Sequence, residues 1–154
     1  MNKIMYVIFF CLIIVFFFII KIFFINEKNY EIVDIKIDNT MIRSQLADNS
    51  AKRFKGLSGR ESLEKDMGML FIFDGYGKFP FVMRNMKFSI DIIWIRDNFV
   101  VDISKNLALP VLGAPLIEYA PLADINRVLE VGAGFTDSNN VKIGDTFQII
   151  KPKT

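Results

Sequence analysis

The sequence predicts a mainly β domain of the α+β class, behind an N-terminal transmembrane helix. The domain is expected to be a small antiparallel sheet that closes part of the way into a barrel and carries one or two short helices. About seven short runs with strand character follow one another along residues 31–152. Turn residues separate most of these runs, and helical patterns are few. Residues 4–20 are all apolar or aromatic, which is typical of a membrane-spanning segment.

The first strands are predicted from the alternation of apolar and polar side chains. Residues 31–38 alternate in this way, and residues 40–47 continue after an Asp-Asn turn as the second strand of a hairpin. Residues 67–73 form a third apolar run of β type. Residues 74–78 contain two glycines and are predicted to form a loop.

A short helix is predicted between the second and third strands, over residues 51–55. Asp48 or Ser50 can cap its first turn by accepting a hydrogen bond from a backbone N–H group. Gly56 stands where a glycine commonly ends a helix. The helix is therefore expected to be brief.

The second half of the domain is predicted to consist of strands around one long irregular segment. Residues 79–95 are expected to form two strands broken at 85–88, and a tight turn at 96–98 leads into a strand over 99–103. Prolines interrupt every apolar run in residues 104–126, which predicts a surface loop or an edge segment. The remaining predicted elements are a strand over 127–131, a helical turn over 135–140 and a strand over 141–150.

The N-terminal segment is predicted to anchor the protein in a membrane through residues 4–25. The chain then divides into an anchor over 1–25, a linker over 26–30 and the domain over 31–152. A cleaved secretory signal has a shorter apolar region and ends in small residues at its cut site. Residues 25–30 contain no such cut site of small residues. An anchor or uncleaved signal is therefore favoured. Because such anchors most often leave their domain outside the cytoplasm, a single-pass protein with an extracytoplasmic domain is expected.

The composition excludes several classes of function. The chain has no histidine, which removes Ser-His-Asp and Cys-His catalysis and the commonest zinc ligand. Its single cysteine, Cys11, lies in the predicted anchor, so the domain holds no disulfide. Seventeen of the nineteen basic residues and all seventeen acidic residues lie beyond residue 25. A domain that is formally neutral argues against nucleic acid as a partner.

Five ordered blocks within residues 32–150 resemble those of a known family. They are Gly56-Leu57 with Arg60, Gly68-Met69-Leu70-Phe71 with Phe73, Met83-Arg84-Asn85 leading to Ile90-Asp91-Ile92, Val128-Leu129-Glu130-Val131 with Ala133-Gly134, and Ile143-Gly144-Asp145. In order and spacing they are similar to the DUF192 family, a widespread prokaryotic domain of unknown function. The resemblance implies a compact β-rich domain, often behind a signal peptide or anchor, with no established activity or ligand. Ser58, Val82 and Met86 stand where the family usually has methionine, tryptophan and threonine. Ser89-Ile90-Asp91 stands where the family commonly has Pro-Leu-Asp.

The polar members of these blocks are the candidate functional residues: Arg60, Arg84, Asn85, Asp91, Glu130 and Asp145. They can form a ligand-binding site, because a guanidinium group recognises carboxylate or phosphate with two parallel hydrogen bonds. They can equally form an internal network that fixes the register of the strands. Asp91 is the best functional candidate, because it interrupts a strand that is apolar on both sides. Asp145 follows Gly144 and is typical of a turn.

An enzymatic function and a metal site are the alternatives to a binding role. A hydrolase-type enzyme would use Asp91 and Glu130 as paired carboxylates, with Arg60 or Arg84 holding an anion. Methionine side chains can bind Cu(I), but they more often fill the core. No metal and no cofactor are therefore predicted. The methionines considered are Met67, Met69, Met83 and Met86.

The leading functional hypothesis is a membrane-tethered, extracytoplasmic accessory or binding domain that is not an enzyme. Its expected partners are the membrane, through residues 4–25, and a small polar ligand or an envelope protein, but not nucleic acid. Tyr76, Phe79 and Phe81 form either an exposed aromatic rim for a sugar or peptide or part of the core. The sequence does not decide which reaction, if any, the protein performs.

Overall fold

The computed structural model describes residue 6, residues 8–17 and residues 30–150. The chain divides into two compact units, Met1–Tyr30 and Glu31–Thr154. In the first unit, residue 6 and residues 8–17 are helical, and their apolar side chains are exposed. None of the helices in the described ranges is both long and apolar enough to span a membrane. The predicted anchor over residues 4–25 lies partly outside these ranges and stays a prediction.

The second unit is a mainly β domain, in which residues 30–150 form nine strands and two short helices. In chain order these are β1 (Ile32–Ile37), β2 (Thr40–Ala47), α1 (Ser50–Lys55), β3 (Met67–Gly77), β4 (Phe81–Val82), β5 (Ile90–Arg96), β6 (Phe99–Leu107), β7 (Glu118–Tyr119), β8 (Ile125–Gly132), α2 (Phe135–Ser138) and β9 (Phe147–Ile150).

Seven of these strands, within the described domain, form one curled sheet in the order β6-β5-β8-β3-β2-β1-β9. Neighbouring strands are antiparallel except β2 and β3, which α1 joins as a parallel crossover. The two edge strands approach each other at one end, where Val100 N–H donates to the Asp145 carbonyl at 2.9 Å and Phe147 N–H to the Asn98 carbonyl at 2.7 Å. The sheet is therefore a half-barrel, which confirms the predicted mainly β, partly closed architecture.

The two faces of the curled sheet are both covered, because its central strands are apolar on both sides. One face holds the core cluster, which includes Ile35, Leu70, Ile93 and Leu129. The opposite face, called the outer face here, carries Trp94, which is fully buried. Strands β4 and β7 form a separate two-stranded ribbon, and Phe81 of this ribbon packs edge-on against Trp94 with ring centroids 5.6 Å apart. The ribbon thus covers part of the outer face.

Close approach of strands requires a glycine at position 68 of β3. A β-carbon on Gly68 would lie 2.9 Å from the Glu130 carbonyl oxygen and 2.9 Å from Ser44 Oγ. Real β-carbons do not tolerate contacts this short, so a larger residue here would push β2 or β8 away from β3. Gly68 therefore fixes the spacing of the strands that carry the pocket described below.

Several predicted boundaries were wrong for local reasons. The loop predicted over 74–78 is mostly strand, because β3 continues after a register shift until Gly77 pairs with Ile125. Asn49, rather than Asp48 or Ser50, caps α1, since its side chain accepts a hydrogen bond from Lys52 N–H at 3.0 Å.

The predicted ends of the last strands were also wrong. Strand β6 continues to Leu107 through a bulge at Asn106, whose φ is 51°. Strand β9 begins only at Phe147, because Asp145 closes a turn by accepting a hydrogen bond from Lys142 N–H at 2.8 Å. The bulge at Asn106 and the turn at Asp145 depend on local backbone conformation and on a side-chain hydrogen bond. The pattern of hydrophobic residues along the sequence does not predict either feature.

Asp91 ties three parts of the domain together. Its buried carboxylate on β5 accepts four hydrogen bonds within residues 30–150. One comes from Asn106 N–H at the β6 bulge, at 2.8 Å. The others come from Gly134 N–H at 3.3 Å, from Thr136 N–H at 3.0 Å and from Thr136 Oγ1 at 2.7 Å. Since Gly134 has no side chain to cap α2, Asp91 supplies the acceptor that the start of this helix needs.

We expect the substitution Asp91→Asn to lower the free energy of unfolding by about 3 kcal/mol or more, because its NH2 group cannot accept the two hydrogen bonds made to one carboxylate oxygen and leaves their buried donors unpaired. The measurement is urea unfolding of the full-length protein, followed by the fluorescence of Trp94, the single tryptophan. Asp137→Asn is the matched control, since its exposed carboxylate pairs with Lys105 at the surface and is worth at most about 1 kcal/mol. Equal stability of the two variants would contradict this role of Asp91.

Candidate functional site

A pocket of about 320 Å³ opens between α1, the loop after it, and the segment from β3 to β4. Glu130, Phe71, Leu57 and Met86 are buried and form its floor, while Phe54 and Lys55 at its mouth are exposed. Small-molecule sites in proteins are concave and mostly apolar, with a few placed polar groups. This pocket has that character. Its aromatic lining residues are Phe54, Phe71, Phe73, Phe79 and Phe81, and its cationic ones are Arg53, Lys55 and Arg84.

The aromatic wall is built around Phe81. Its ring meets Phe71 edge-on at 4.9 Å and Phe73 edge-on at 6.5 Å. Phe73 in turn stacks on Phe79, with ring centroids 4.0 Å apart and an angle of 7° between the planes. Aromatic pairs in these geometries stabilise each other by about 0.5–1.5 kcal/mol beyond the area that they bury. The wall is therefore expected to be rigid before any ligand arrives.

Two arginines at the side of the pocket are held by the domain itself. Arg53 Nη1 donates to the Ile72 carbonyl at 2.7 Å, and its guanidinium lies 5.2 Å from the centre of the Phe73 ring. Arg84 Nη2 donates to the Phe54 carbonyl at 2.9 Å, and its guanidinium lies 4.1 Å from the centre of the Phe54 ring. Within the described residues, Arg53 forms its hydrogen bonds to protein through Nη1, and Arg84 forms its hydrogen bond through Nη2. A guanidinium group has five N–H donors on three nitrogens. Both can therefore donate to an anion as well.

The loop after α1 is fastened to the turn that follows β4. Ser58 Oγ donates to the Arg84 carbonyl at 2.8 Å, and Gly59 N–H donates to the Asn85 carbonyl at 2.9 Å. Asn85 has a φ of 54°, a left-handed conformation that asparagine tolerates better than most residues. Gly56, with φ 50° and ψ −140°, turns the chain at the end of α1 where a side chain would be strained. Two sequence blocks far apart in the chain thus frame one opening.

Glu130 is the acidic residue of the pocket, and its side chain is only 7% exposed. Its register partners on either side are Met69 of β3 and Ile92 of β5, both apolar. Burial raises the pKa of Glu130 to about 8, and the nearby Arg60 guanidinium opposes this rise. The carboxyl is therefore largely protonated at neutral pH. Within the described residues, its Oε2 atom has no hydrogen-bond partner.

Arg60 lies in the loop after α1, and its charge acts on this carboxyl. Its Nη2 donates to Gln45 Oε1 at 2.6 Å, and Gln45 lies in the same cross-strand row as Met69 and Glu130. Residues in such a row project from the same face of a sheet. The glutamine therefore holds the guanidinium near the outer face, where its charge acts on Glu130.

The structure brings together four of the six candidate residues named from the sequence. Glu130 and Arg84 line the pocket, Arg60 acts on Glu130, and Asn85 shapes the opening. Asp91 and Asp145 lie elsewhere: Asp91 holds the β6 bulge and α2, and Asp145 closes the turn before β9. The polar residues therefore divide between the surroundings of the pocket and internal hydrogen bonds.

The register of the sheet separates Asp91 from Glu130. Asp91 pairs with Val131, and its neighbour Ile92 pairs with Glu130. Because successive residues of a strand point to opposite faces, the two carboxyl groups lie on opposite sides of the sheet. The structure does not form the carboxylate pair that the hydrolase alternative requires. Among the described residues, no cluster of His, Cys, Asp and Glu could hold a metal ion.

Sequence reasoning missed most of the pocket lining. Phe71 and Phe73 belong to an apolar run that predicts a core strand, and Arg53 and Phe54 belong to a helix predicted without a role. Of the aromatic residues considered from the sequence, Phe79 and Phe81 line the pocket. Tyr76 lies outside the pocket lining, and its hydroxyl group donates a hydrogen bond to Asp97 Oδ1 at 2.5 Å. Three of the departures from the family pattern gave a signal, since these residues line the pocket: Ser58, Val82 and Met86. The departure at Ser89 and Ile90 lies outside the pocket lining.

The fold and the pocket define the class of protein: a half-barrel β domain with a site of small-molecule size on its outer face. The chain belongs to the DUF192 family, described as "Uncharacterized ACR", whose family model matches residues 31–149. The resemblance seen in the sequence blocks is therefore confirmed. Among curated proteins, none matches this chain.

Two solved structures share the fold. A candidate transcription regulator from Sinorhizobium meliloti 1021 is 23% identical with a TM-score of 0.70, over 78% of this chain and 95% of that chain. A protein of unknown function from Novosphingobium aromaticivorans DSM 12444 is 29% identical with a TM-score of 0.69, over 76% of this chain and 84% of that chain. The likeness supports the architecture and carries no activity to this protein.

The raised pKa of Glu130 predicts that the domain loses stability as pH rises. Between the ordinary value of 4.5 and about 8, the folded state holds a proton that the unfolded state releases. The free energy of unfolding should therefore fall through this range, by at most about 1.4 kcal/mol per pH unit. Chemical unfolding at a series of pH values, followed by Trp94 fluorescence, measures the slope.

Glu130→Gln is the control for this slope, because glutamine keeps the shape of the side chain and cannot ionise. The other ionisable groups are present in both proteins, so their contributions to the slope cancel. The variant should show a shallower slope than the wild type and should be the more stable of the two at alkaline pH. Identical slopes would show that Glu130 does not titrate as described.

Proposed function

We propose that this protein is a binding domain for a small molecule with a flat apolar body and an anionic group. The observation that carries the proposal is an aromatic-walled pocket with cationic residues around it: within the described domain, Arg53, Lys55 and Arg84 line the pocket together with five phenylalanines. The rings provide a surface for the apolar body, and the guanidinium groups provide donors for the anion. The protein is proposed to bind this molecule rather than to convert it.

The charge around the pocket supports an anionic ligand over a cationic one. An aromatic box with a carboxylate is a usual site for an ammonium ion. Here, however, the carboxyl of Glu130 is largely neutral at neutral pH, and it is within electrostatic reach of Arg60. A cationic ligand would be repelled by Arg60 and also by Arg53 and Arg84 at the side of the pocket.

The separation of Asp91 from Glu130 supports binding over hydrolysis. The two carboxyl groups project from opposite faces of the sheet, and Asp91 already accepts hydrogen bonds from the β6 bulge and α2. A hydrolase that uses both would need them on the same side of the substrate. The hydrolase alternative therefore has no geometric support at these residues.

We further propose that residues 4–25 tether the domain to a membrane and that the domain faces the extracytoplasmic side. The support comes from the sequence, since residues 4–20 are uninterrupted apolar residues and a short linker follows. A ligand taken from the envelope space, or an envelope protein that delivers it, would fit this location.

The pocket predicts that 4-isopropylbenzoate binds the full-length protein and that Arg84→Ala weakens this binding about tenfold or more, since a hydrogen bond to a charged group is lost. Isothermal titration calorimetry in detergent micelles measures the affinity. The neutral analogue 4-isopropylbenzamide should bind more weakly and should be nearly insensitive to the substitution.

Arg43→Ala is the matched control for the loss of an arginine, because Arg43 is exposed on β2 and lines neither this pocket nor the smaller polar one near Asp38. It should leave the affinity for 4-isopropylbenzoate unchanged. An equal loss of affinity in both variants, or no binding to the wild type at millimolar concentration, would overturn the proposed pocket function.

The tether predicts which side of the membrane exposes the domain to protease. Protease added to intact cells with a permeabilised outer barrier should degrade residues 30–154, while inverted vesicles should protect them. Immunoblotting against the domain measures both. Degradation only in inverted vesicles would place the domain in the cytoplasm and refute the proposed orientation, and release of the domain by carbonate washing would refute the tether.

A further inference from the structure

The carboxyl group of Glu130 is the polar feature of the pocket floor that the anion site does not use. It is 7% exposed, it lines the pocket, and its Oε2 atom lacks a hydrogen-bond partner among the described residues. A buried polar atom in this condition destabilises the domain, because its hydrogen bonds to water are lost without replacement. A ligand that supplies the missing partner would recover this energy, and a ligand with only hydrocarbon at the same place would not.

The surroundings of Glu130 make it a hydrogen-bond donor rather than an acceptor for a cation. The strands beside it present Met69 and Ile92, which are apolar and buried. The charged groups near it are all cationic: Arg60 acts on it from the loop after α1, and the described pocket lining adds Arg53, Lys55 and Arg84. Burial among apolar side chains favours the neutral form of this carboxyl group and outweighs the opposing effect of the Arg60 charge. The neutral form carries one O–H donor.

We propose that Glu130 determines the specificity of the pocket by donating a hydrogen bond to an acceptor oxygen at the inner end of the ligand. The ligand class is then an aromatic or alicyclic acid with a carbonyl oxygen opposite its acid group, a keto acid or an acyl-substituted ring acid. The acid group lies among the arginines at the side of the pocket, and the carbonyl oxygen faces Glu130. This inference rests on the proposed binding function and adds the identity of the second polar group.

The titration of Glu130 gives this specificity a dependence on pH. Its pKa of about 8 means that the donor is present in neutral and acidic solution and is lost in alkaline solution. Above this value the ionised carboxylate would face the carbonyl oxygen of the ligand without a proton between them. The preference for a carbonyl should therefore disappear as pH rises through about 8.

The test compares two acids of similar size, 4-acetylbenzoate and 4-isopropylbenzoate. In the acetyl compound a carbonyl oxygen takes the place of a methyl group and a hydrogen. Calorimetry with the full-length protein in micelles gives the ratio of their dissociation constants at about pH 6 and about pH 9, on either side of the Glu130 pKa. At the lower pH the wild type should bind the acetyl compound about tenfold more tightly, as one recovered hydrogen bond predicts. At the higher pH this preference should be lost.

Two variants separate the hydrogen bond from packing. Glu130→Gln keeps an N–H donor that does not titrate, so it should retain the preference for the acetyl compound at both pH values. Glu130→Leu has no donor and should show no preference at either. The fluorescence of Trp94 checks that each variant is folded, and the wild-type comparison between the two pH values stands without either variant.

The outcomes distinguish this inference from the function on which it rests. If the wild type binds both acids with the same affinity at about pH 6, the pocket function stands and the role of Glu130 is refuted. If the preference is present but unchanged at about pH 9, a group other than Glu130 provides it and the inference fails as well. If neither acid binds, the proposed function itself fails.

Discussion

The hydrogen bonds to the Asp91 carboxylate hold the features on which the rest of the domain depends. Asn106 N–H at the β6 bulge and the N–H groups at the start of α2 converge on it from two separate segments. A bulge and a short helix without a capping side chain both leave backbone donors that must be satisfied in a buried place. A single acidic residue on β5, the strand next to the edge strand β6, satisfies them together and fixes one end of the sheet.

The same alternation that buries Asp91 creates the pocket on the other face. Because Asp91 and Glu130 stand one register step apart on adjacent strands, a strand period of two sends them to opposite sides. Asp91 meets a full set of donors, whereas Glu130 meets apolar neighbours and a pocket. Both residues are buried acids in apolar strands. They differ in that the carboxylate of Asp91 is occupied by structural hydrogen bonds, whereas the carboxyl of Glu130 lines the pocket.

The proposed binding role follows from the way in which the outer face is covered. The ribbon of β4 and β7 places Phe81 on Trp94, and this ring organises Phe71 and Phe73 into a wall. Where the ribbon ends, α1 and its loop leave an opening that arginines border. An apolar floor with one protonated carboxyl and a cationic side suits an acid with an apolar body and a second oxygen.

The sequence by itself determined the mainly β class, the hairpin of β1 and β2, the short helix before β3, and the family, because periodicity, glycine positions and ordered motif blocks are local properties. It also identified Arg84 and Glu130 among the polar residues of interest, but it ranked Asp91 first. Only the tertiary structure decided their roles. Strand register assigns each side chain to a face, and register depends on bulges, crossovers and pairings between distant segments that no single stretch of sequence contains. The tertiary structure therefore decided that Asp91 serves the architecture and that Glu130 faces a pocket.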